Sequence, residues 1–98
     1  MKHKLVVSPE AEADIEKAFE WYEDRGEGLG RDFVLEARFS IKTIAERPLS
    51  YPISRGNTRR ILLDRFPYSV FYTVVEDVVK VIACIHQRRS PRVWKSRS

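Results

Sequence analysis

The sequence predicts an α+β fold in the order β-α-α-β-β-β, with a helical hairpin packed on one face of an antiparallel sheet and a short basic C-terminal tail. Two early stretches carry apolar residues at helical spacing, and three later runs are rich in β-branched and aromatic residues. A hairpin with one apolar stripe per helix needs a cover, which the apolar face of a sheet provides. The 98 residues fit a single domain, positions 1–98.

The first strand and the first helix are predicted from adjacent signals. "KHKLVV" at positions 2–7 alternates polar and apolar residues and then ends apolar, which is typical of a strand. Ser8 is a good helix N-cap, Pro9 suits the first helical position, and the helix should end near Gly26. Its apolar stripe is Ala11, Ile15, Ala18, Phe19 and Tyr22. The acids Glu10, Glu12, Asp14 and Glu16 are interpreted as a solvated face.

A second helix is predicted from about Leu29 to Glu46, and Pro48 ends it because the residue before a proline disfavours the helical region. Leu35 and Phe39 fall off its apolar stripe, four residues apart on one flank. They belong either to a wider buried face or to an exposed apolar patch for a partner. The stripe itself consists of Phe33, Val34, Ala37, Ile41, Ile44 and Ala45.

Three strands are predicted after a loop at positions 48–57: "TRRILLDRF" at 58–66, "YSVFYTVV" at 68–75 and "VVKVIACIH" at 78–86. The last two are joined by a short hairpin turn and are apolar on both faces, so they should lie centrally in a sheet of three or four antiparallel strands. The sheet face opposite the helices should stay partly open. Arg59, Arg60, Arg65 and the tail are available to line that face or its edge.

The charge is divided unevenly between the two halves of the chain. Positions 1–50 hold eight Lys/Arg and eleven Asp/Glu, which gives −3, and positions 51–98 hold ten and three, which gives +7. A basic half of this kind favours an anionic partner. A single cysteine, Cys84, excludes an internal disulfide and, in its apolar run, predicts a buried thiol. No signal peptide or membrane-spanning run is visible, so we expect a soluble cytoplasmic protein that does not associate with membranes.

The C-terminal stretch "HQRRSPRVWKSRS" carries five basic residues and no acid. Arginines here and in "TRRILLDR" can bind phosphate together, or Arg60 and Arg65 can pair with Asp64 or Asp77. His86 is either a general base or a rim residue that orients the tail. Trp94 stacks on a base, anchors in a partner, or folds back over the core, and we expect the last. Two histidines and one cysteine give no metal-ligand spacing, and no cofactor is predicted.

Three motifs are together similar to the RelE/ParE toxin superfamily of bacterial type II toxin–antitoxin systems, and most similar to its ParE-like branch. They are "RPLSYP", the block R-x-x-x-L-x-x-F-P-Y-x-V-F-Y, and the terminal A-x-x-H-x-x-R-x-P-x-x-W. The resemblance covers nearly the whole chain. It implies a β-α-α-β-β-β fold, a cognate ParD-like protein antitoxin, DNA gyrase as the target, and a role in plasmid stabilisation. RelE-like members instead cleave messenger RNA in the ribosome, with lysines and arginines across the sheet and a C-terminal tyrosine or histidine.

The chain departs from the RelE pattern, since its tail has no tyrosine and its central strands hold only Lys80 as a lysine. We therefore predict a toxin that acts by binding gyrase rather than by catalysis, without sequence-specific DNA binding of its own. The predicted toxic surface is His86, Arg88, Arg89, Arg92 and Trp94, and the predicted antitoxin-binding residues are Trp21, Leu35, Phe39, Arg59 and Arg60. The alternative is a ribosome-dependent endoribonuclease that uses His86, Arg65, Arg88 and Arg89. Truncation after Gln87 is expected to leave the core folded, because few core residues would be lost.

Overall fold

Eight helices and strands follow one another along residues 3–97, the part of the chain that the computed structural model describes. Lys2 of the predicted first strand and Ser98 of the predicted tail lie outside the described residues. A helical hairpin packs on a sheet, as the sequence predicts. The elements are β1 (Lys4–Val7), α1 (Pro9–Arg25), α2 (Leu29–Glu46), β2 (Ile53–Arg55), β3 (Thr58–Leu62), β4 (Tyr68–Val75), β5 (Val78–His86) and α3 (Arg92–Lys95).

The sheet has five strands in the order β1-β5-β4-β3-β2, which places the last strand between the first strand and β4. β1 runs parallel to β5, and the other neighbours are antiparallel. The prediction of three or four antiparallel strands is therefore wrong in two respects: the sheet has five strands, and β1 is parallel to its neighbour. The parallel partner of β1 is the last strand, and the helical hairpin together with β2, β3 and β4 forms the long connection that a parallel pair needs. The three residues of β2 lie in the predicted loop at 48–57 and pair with β3 from Ile53 to Arg55.

The first helix begins as predicted, with the Ser8 side chain accepting a hydrogen bond from Ala11 N at 3.1 Å. The second helix begins at Gly28, which adopts a left-handed conformation and offers no side-chain cap. Glu23 of α1 supplies that cap instead, because its carboxylate accepts hydrogen bonds from Gly28 N and Gly30 N at 2.9 Å each. These hydrogen bonds lower the pKa of Glu23, the bond from Gly28 N contributing most. The two helices also approach closely at Gly30, where a Cβ would lie 2.4 Å from the carbonyl oxygen of Phe19.

Apolar side chains are buried on both faces of the sheet, which confirms that β4 and β5 are central. The inner core, between the sheet and the helices, includes Phe33, Ile44 and Tyr72. The outer core lies on the opposite face and consists of Phe71, Ile82, Ala83, Ile85 and Trp94. The C-terminal segment therefore covers part of the face that we expected to stay open. The expectation that truncation after Gln87 removes few core residues is wrong, because Trp94 is one of the five buried members of the outer core.

Candidate functional site

β5 carries His86 to the rim of the sheet, where the chain turns through residues 87–91 into α3. Gln87 N donates to Pro67 O at 2.8 Å, and Arg89 N donates to His86 O at 2.9 Å, so the turn is tied to the end of the sheet. Arg88 and Arg89 are exposed on this turn, and Arg92 is exposed at the start of α3. The structure thus brings His86, Arg88 and Arg89 to one rim of the molecule, and Arg92 follows them in α3, so that exposed guanidinium groups are available to an anionic partner.

The His86 ring is held by two neighbours. Its Nδ1 accepts a hydrogen bond from Arg88 N at 3.1 Å, and its edge packs against the Tyr68 ring with centroids 5.4 Å apart. Because the Nδ1 lone pair is used, the proton of the neutral imidazole sits on Nε2. In this arrangement His86 offers an N–H donor to a ligand rather than a free base nitrogen.

Two small recesses flank this rim, and His86 and Arg89 line both of them. The recess on the α1 side has a volume of about 160 Å³ and is also lined by Lys17 and Trp21. The recess on the outer sheet face has a volume of about 100 Å³ and is also lined by Arg60. The cations at the rim therefore extend on to both faces of the sheet.

Trp94 folds back over the core, as we expected from the sequence. Its side chain is 5% exposed and stacks on Phe71, with ring centroids 4.6 Å apart and an interplanar angle of 17°. The indole therefore has little surface left for a partner. Its direct effect is to fix α3 on the outer core, which places Arg92 and the preceding turn.

Arg65 and Arg59, which the sequence analysis also singled out, lie away from this rim. Arg65 lines a groove between α2 and β3, where its Nη1 lies 3.5 Å from Asp32 Oδ2 and its guanidinium lies 5.3 Å from the Phe66 ring. The predicted pairing of Arg65 with Asp64 or Asp77 is wrong, because Asp32 is its partner. The Arg59 guanidinium donates to Tyr51 O at 2.6 Å and to Leu49 O at 3.4 Å, so it braces the loop before β2.

The groove between α2 and β3 has a volume of about 590 Å³ and contains Leu35 and Phe39. These side chains are 58% and 69% exposed. Of the two interpretations of Leu35 and Phe39, the exposed apolar patch is therefore correct and the wider buried face is not. Ile61 and Leu62 form the opposite wall. At one end of the groove, the Glu36 carboxylate accepts hydrogen bonds from Asp64 N and Arg65 N and ties α2 to the end of β3.

The predicted antitoxin-binding residues lie on three surfaces rather than one. Leu35 and Phe39 are in the groove, with Arg59 beneath the loop at its end. Trp21 lines the α1-side recess with His86, and Arg60 lines the recess on the outer face. Trp21 is 49% exposed, and the Arg25 guanidinium lies 3.5 Å from its ring centroid.

Sequence reasoning missed the ionic contact between Asp14 of α1 and Arg97 of the tail. Asp14 was assigned to a solvated helix face, but its side chain is only 12% exposed. Its Oδ2 lies 2.6 Å from Arg97 Nη1. The two residues are 83 positions apart, and no local pattern links them. The only available signal was an acid on the side of α1 next to the apolar stripe.

Within residues 3–97, no group of three or more His, Cys, Asp or Glu side chains could hold a metal ion. Among the helices of the described residues, none has the length and apolar character needed to cross a bilayer.

Comparison with known proteins decides the family. Residues 5–91 match the family described as the ParE toxin of the type II toxin–antitoxin system parDE. The chain belongs to the ParE toxin family. This confirms the resemblance to the RelE/ParE superfamily and its ParE-like branch. No curated protein matches the sequence.

Solved structures share the fold at low sequence identity. A chain of the chromosomal ParDE system from P. aeruginosa superposes with a TM-score of 0.78 and 17% identity, covering 87% of this chain and 96% of that one. A free-state mutant of the E. coli toxin RelE gives 0.58 and 17%, covering 99% and 95%. A chain of the YoeB dimer from Staphylococcus aureus gives 0.58 and 15%, covering 88% and 98%. These likenesses confirm the fold class.

Proposed function

We propose that this ParE-family toxin arrests growth in the cytoplasm by binding DNA gyrase, and that a cognate ParD-like antitoxin neutralises it. The family match over residues 5–91 and the structural likeness to a ParDE system support the toxin and its antitoxin. The observation that favours binding over catalysis is the engaged Nδ1 of His86. The cationic rim of His86, Arg88, Arg89 and Arg92 then recognises its target, while Trp94 holds the rim in place from beneath.

The endoribonuclease alternative has less support from the geometry. Cleavage of RNA by its 2′-hydroxyl needs a base, an acid and cations at one phosphate. The Nδ1 of His86 is occupied, and Arg65 lies in the α2–β3 groove while His86 and Arg89 line the recesses at the rim. A nuclease site built from His86, Arg65, Arg88 and Arg89 would therefore lack a free Nδ1 on His86 to act as the base. It would also lack Arg65 as one of the cations at the phosphate.

The target is tested by inducing the toxin in bacteria and recording what fails first. Stalled replication with DNA-damage signalling is the expected result, and supercoiling by purified gyrase should be inhibited by the purified toxin. Rapid loss of translation with cut messages, while supercoiling is unaffected, would instead identify the ribosome as the target and overturn the proposal.

His86→Gln separates binding from catalysis. Because glutamine keeps an N–H donor, a binding surface should lose at most about one hydrogen bond, roughly 0.5–1.5 kcal/mol. A nuclease that needs an imidazole base should lose about 10²-fold in rate. The measurement is the toxin level that halves growth, with His3→Gln as the control because His3 is the other histidine of the chain. A fully non-toxic His86→Gln variant that still folds and binds antitoxin would contradict the binding mechanism.

We also propose that the antitoxin occupies the α2–β3 groove and reaches Trp21. Leu35 and Phe39 present exposed apolar surface in the groove, and aromatic residues are frequent binding hot spots. Trp21 shares its recess with His86 and Arg89, so a segment that covers Trp21 also covers part of the toxic rim. This arrangement explains neutralisation as direct occlusion.

Affinity for the purified antitoxin, measured by calorimetry, tests this surface. Phe39→Ala and Trp21→Ala should each weaken the complex by about 1–3 kcal/mol. Val75→Ala is the matched control, since Val75 is an exposed apolar residue of β4 that lines none of the three recesses described above. Unchanged affinity in both aromatic variants, with the fold intact, would place the interface elsewhere.

A further inference from the structure

We infer that Asp14 and Arg97 are positioning residues of the toxic rim, because their ion pair closes the open edge of β5 and holds the end of the tail. The inference rests on the proposed function, which assigns toxicity to His86, Arg88 and Arg89. Asp14 lines the α1-side recess together with His86 and Arg89. Arg97 lines neither recess and acts through Asp14 and the tail that it holds.

The open edge arises from the unequal lengths of β1 and β5. β1 pairs with β5 only as far as the Val7–Val81 pair, and Ser8 N then donates to Val81 O at 2.9 Å. β5 continues to His86 with β4 as its antiparallel neighbour. Backbone groups beyond Val81 on the β1 side therefore lack a strand partner. Such groups need hydrogen bonds when buried, and an open strand edge also invites pairing with another chain.

Asp14 and Arg97 supply the missing partners. Asp14 Oδ2 accepts a hydrogen bond from Cys84 N at 3.0 Å, and Arg97 Nη1 donates to Ile82 O at 3.1 Å. The two side chains are joined by Nη1–Oδ2 at 2.6 Å and Nη2–Oδ1 at 3.4 Å. One acceptor and one donor thus replace a neighbouring strand over Ile82–Cys84.

The Asp14–Arg97 ion pair is less exposed to solvent than an ordinary surface ion pair, so it should be stronger. The side chains of Arg97 and Asp14 are 22% and 12% exposed, whereas those of the Arg38–Glu12 pair between α1 and α2 are 45% and 46% exposed. Partly buried, two-pronged arginine–carboxylate contacts with additional backbone hydrogen bonds are stronger and more specific in geometry than exposed pairs.

The pair anchors a segment that cannot order itself. α3 has four residues, too few for a helix to persist without tertiary contacts. The turn at 87–91 is held at one end by β5, and the contacts that hold its other end include the Trp94–Phe71 stack and the Arg97–Asp14 pair. Removing Arg97 takes away the ionic contact, so Arg88 and Arg89 should sample more positions and bind with a larger entropic cost.

The test uses the full chain with Arg97→Ala, Arg97→Lys, Asp14→Asn and the control Arg38→Ala. NMR records the ¹⁵N heteronuclear NOE of the Arg88 and Arg89 amides and the hydrogen exchange of the Cys84 amide. Arg97→Ala should lower the NOE of both arginines and accelerate Cys84 exchange by about tenfold or more, with Arg97→Lys intermediate. Asp14→Asn keeps an acceptor for Cys84 N, so it should loosen the tail more than it exposes Cys84.

Growth arrest supplies the functional readout. The toxin level that halves growth should rise about tenfold for Arg97→Ala, consistent with two arginine side chains losing their pre-organised positions. Arg97→Lys should partly restore toxicity, and Arg38→Ala should match the wild type in both readouts. Rigid tail amides in Arg97→Ala, or a loosened tail with unchanged toxicity, would overturn the inference. If the wild type arrests growth through another target, only the proposed function fails, because both readouts are independent of which target is bound.

Discussion

Replacing Trp94 with alanine should destabilise the whole domain, although Trp94 lies four residues from the end of the chain. Its indole is 5% exposed and stacks on Phe71 over the outer core. Alanine would leave Phe71, Ile82 and Ile85 facing water on a sheet face that has no helix of the hairpin to cover it. The substitution therefore tests whether the tail is part of the fold or an appendage.

The magnitude follows from the buried area. A nearly fully buried tryptophan removes about 200–250 Å² from water, equivalent to about 5–6 kcal/mol at 25 cal/mol per Å². Compactness of the unfolded chain reduces this to about 3–5 kcal/mol, which agrees with measured losses for buried tryptophan-to-alanine changes. For a domain of about this size, such a loss lowers Tm by at least about 12 °C.

Urea and thermal unfolding of purified variants provide the assay, with Trp21→Ala as the matched control. Trp21 is 49% exposed, so it should lose about 1–2 kcal/mol despite the Arg25 guanidinium over its ring. Truncation after Gln87 should lose at least as much as Trp94→Ala, since it also removes Arg97 from Asp14. Equal unfolding midpoints for Trp94→Ala and Trp21→Ala, or a truncated chain as stable as the wild type, would refute the claim that Trp94 stabilises the domain through the outer core.

Three further predictions concern single residues. Burial raises the pKa of the Cys84 thiol to about 12, so folded protein should resist iodoacetamide at neutral pH, and Cys84→Ala should cost about 1–2 kcal/mol while keeping toxicity. Gly30→Ala should lose about 1–3 kcal/mol in urea unfolding, because its Cβ would meet Phe19 O, whereas Gly26→Ala should be tolerated. Hydrogen bonds lower the pKa of Glu23 from its ordinary 4.5, so its stabilisation is present above that pH and disappears as pH falls through the lowered value. Glu23→Gln should flatten this acid-side loss in unfolding titrations, and an unchanged pH profile would contradict the capping role.

The longer elements could be predicted from the sequence because their signals are local. α1 and α2 begin and end as predicted, since Ser8 and Pro9 start one helix and Pro48 follows the other. β2 and α3 were missed, because three residues in a proline-rich loop and four residues after Pro91 have little intrinsic preference. Both exist through tertiary pairing and packing, which no local pattern encodes.

The basic residues of the candidate site could be predicted from the sequence, but the residues that contact them could not. The basic tail identified His86, Arg88 and Arg89, which the structure places together on one rim. The surroundings of Arg65 and Asp14 could not be predicted, because Asp32 and Arg97 lie 33 and 83 positions away from them. Such pairings depend on which strand lies beside which, and the parallel place of β1 next to β5 was also not predicted.

The central place of β5 has a consequence for synthesis. The strand that joins β1 to the rest of the sheet lies at residues 78–86, so a growing chain cannot complete the sheet until most of it has left the ribosome. At about 5–20 residues per second, translation of 98 residues takes about 5–20 s. Throughout that time β1 and α1 are exposed without their main neighbour, and the cationic rim has not yet been made. The sheet and the cationic rim are therefore completed late in synthesis, when β5 can pair with both β1 and β4.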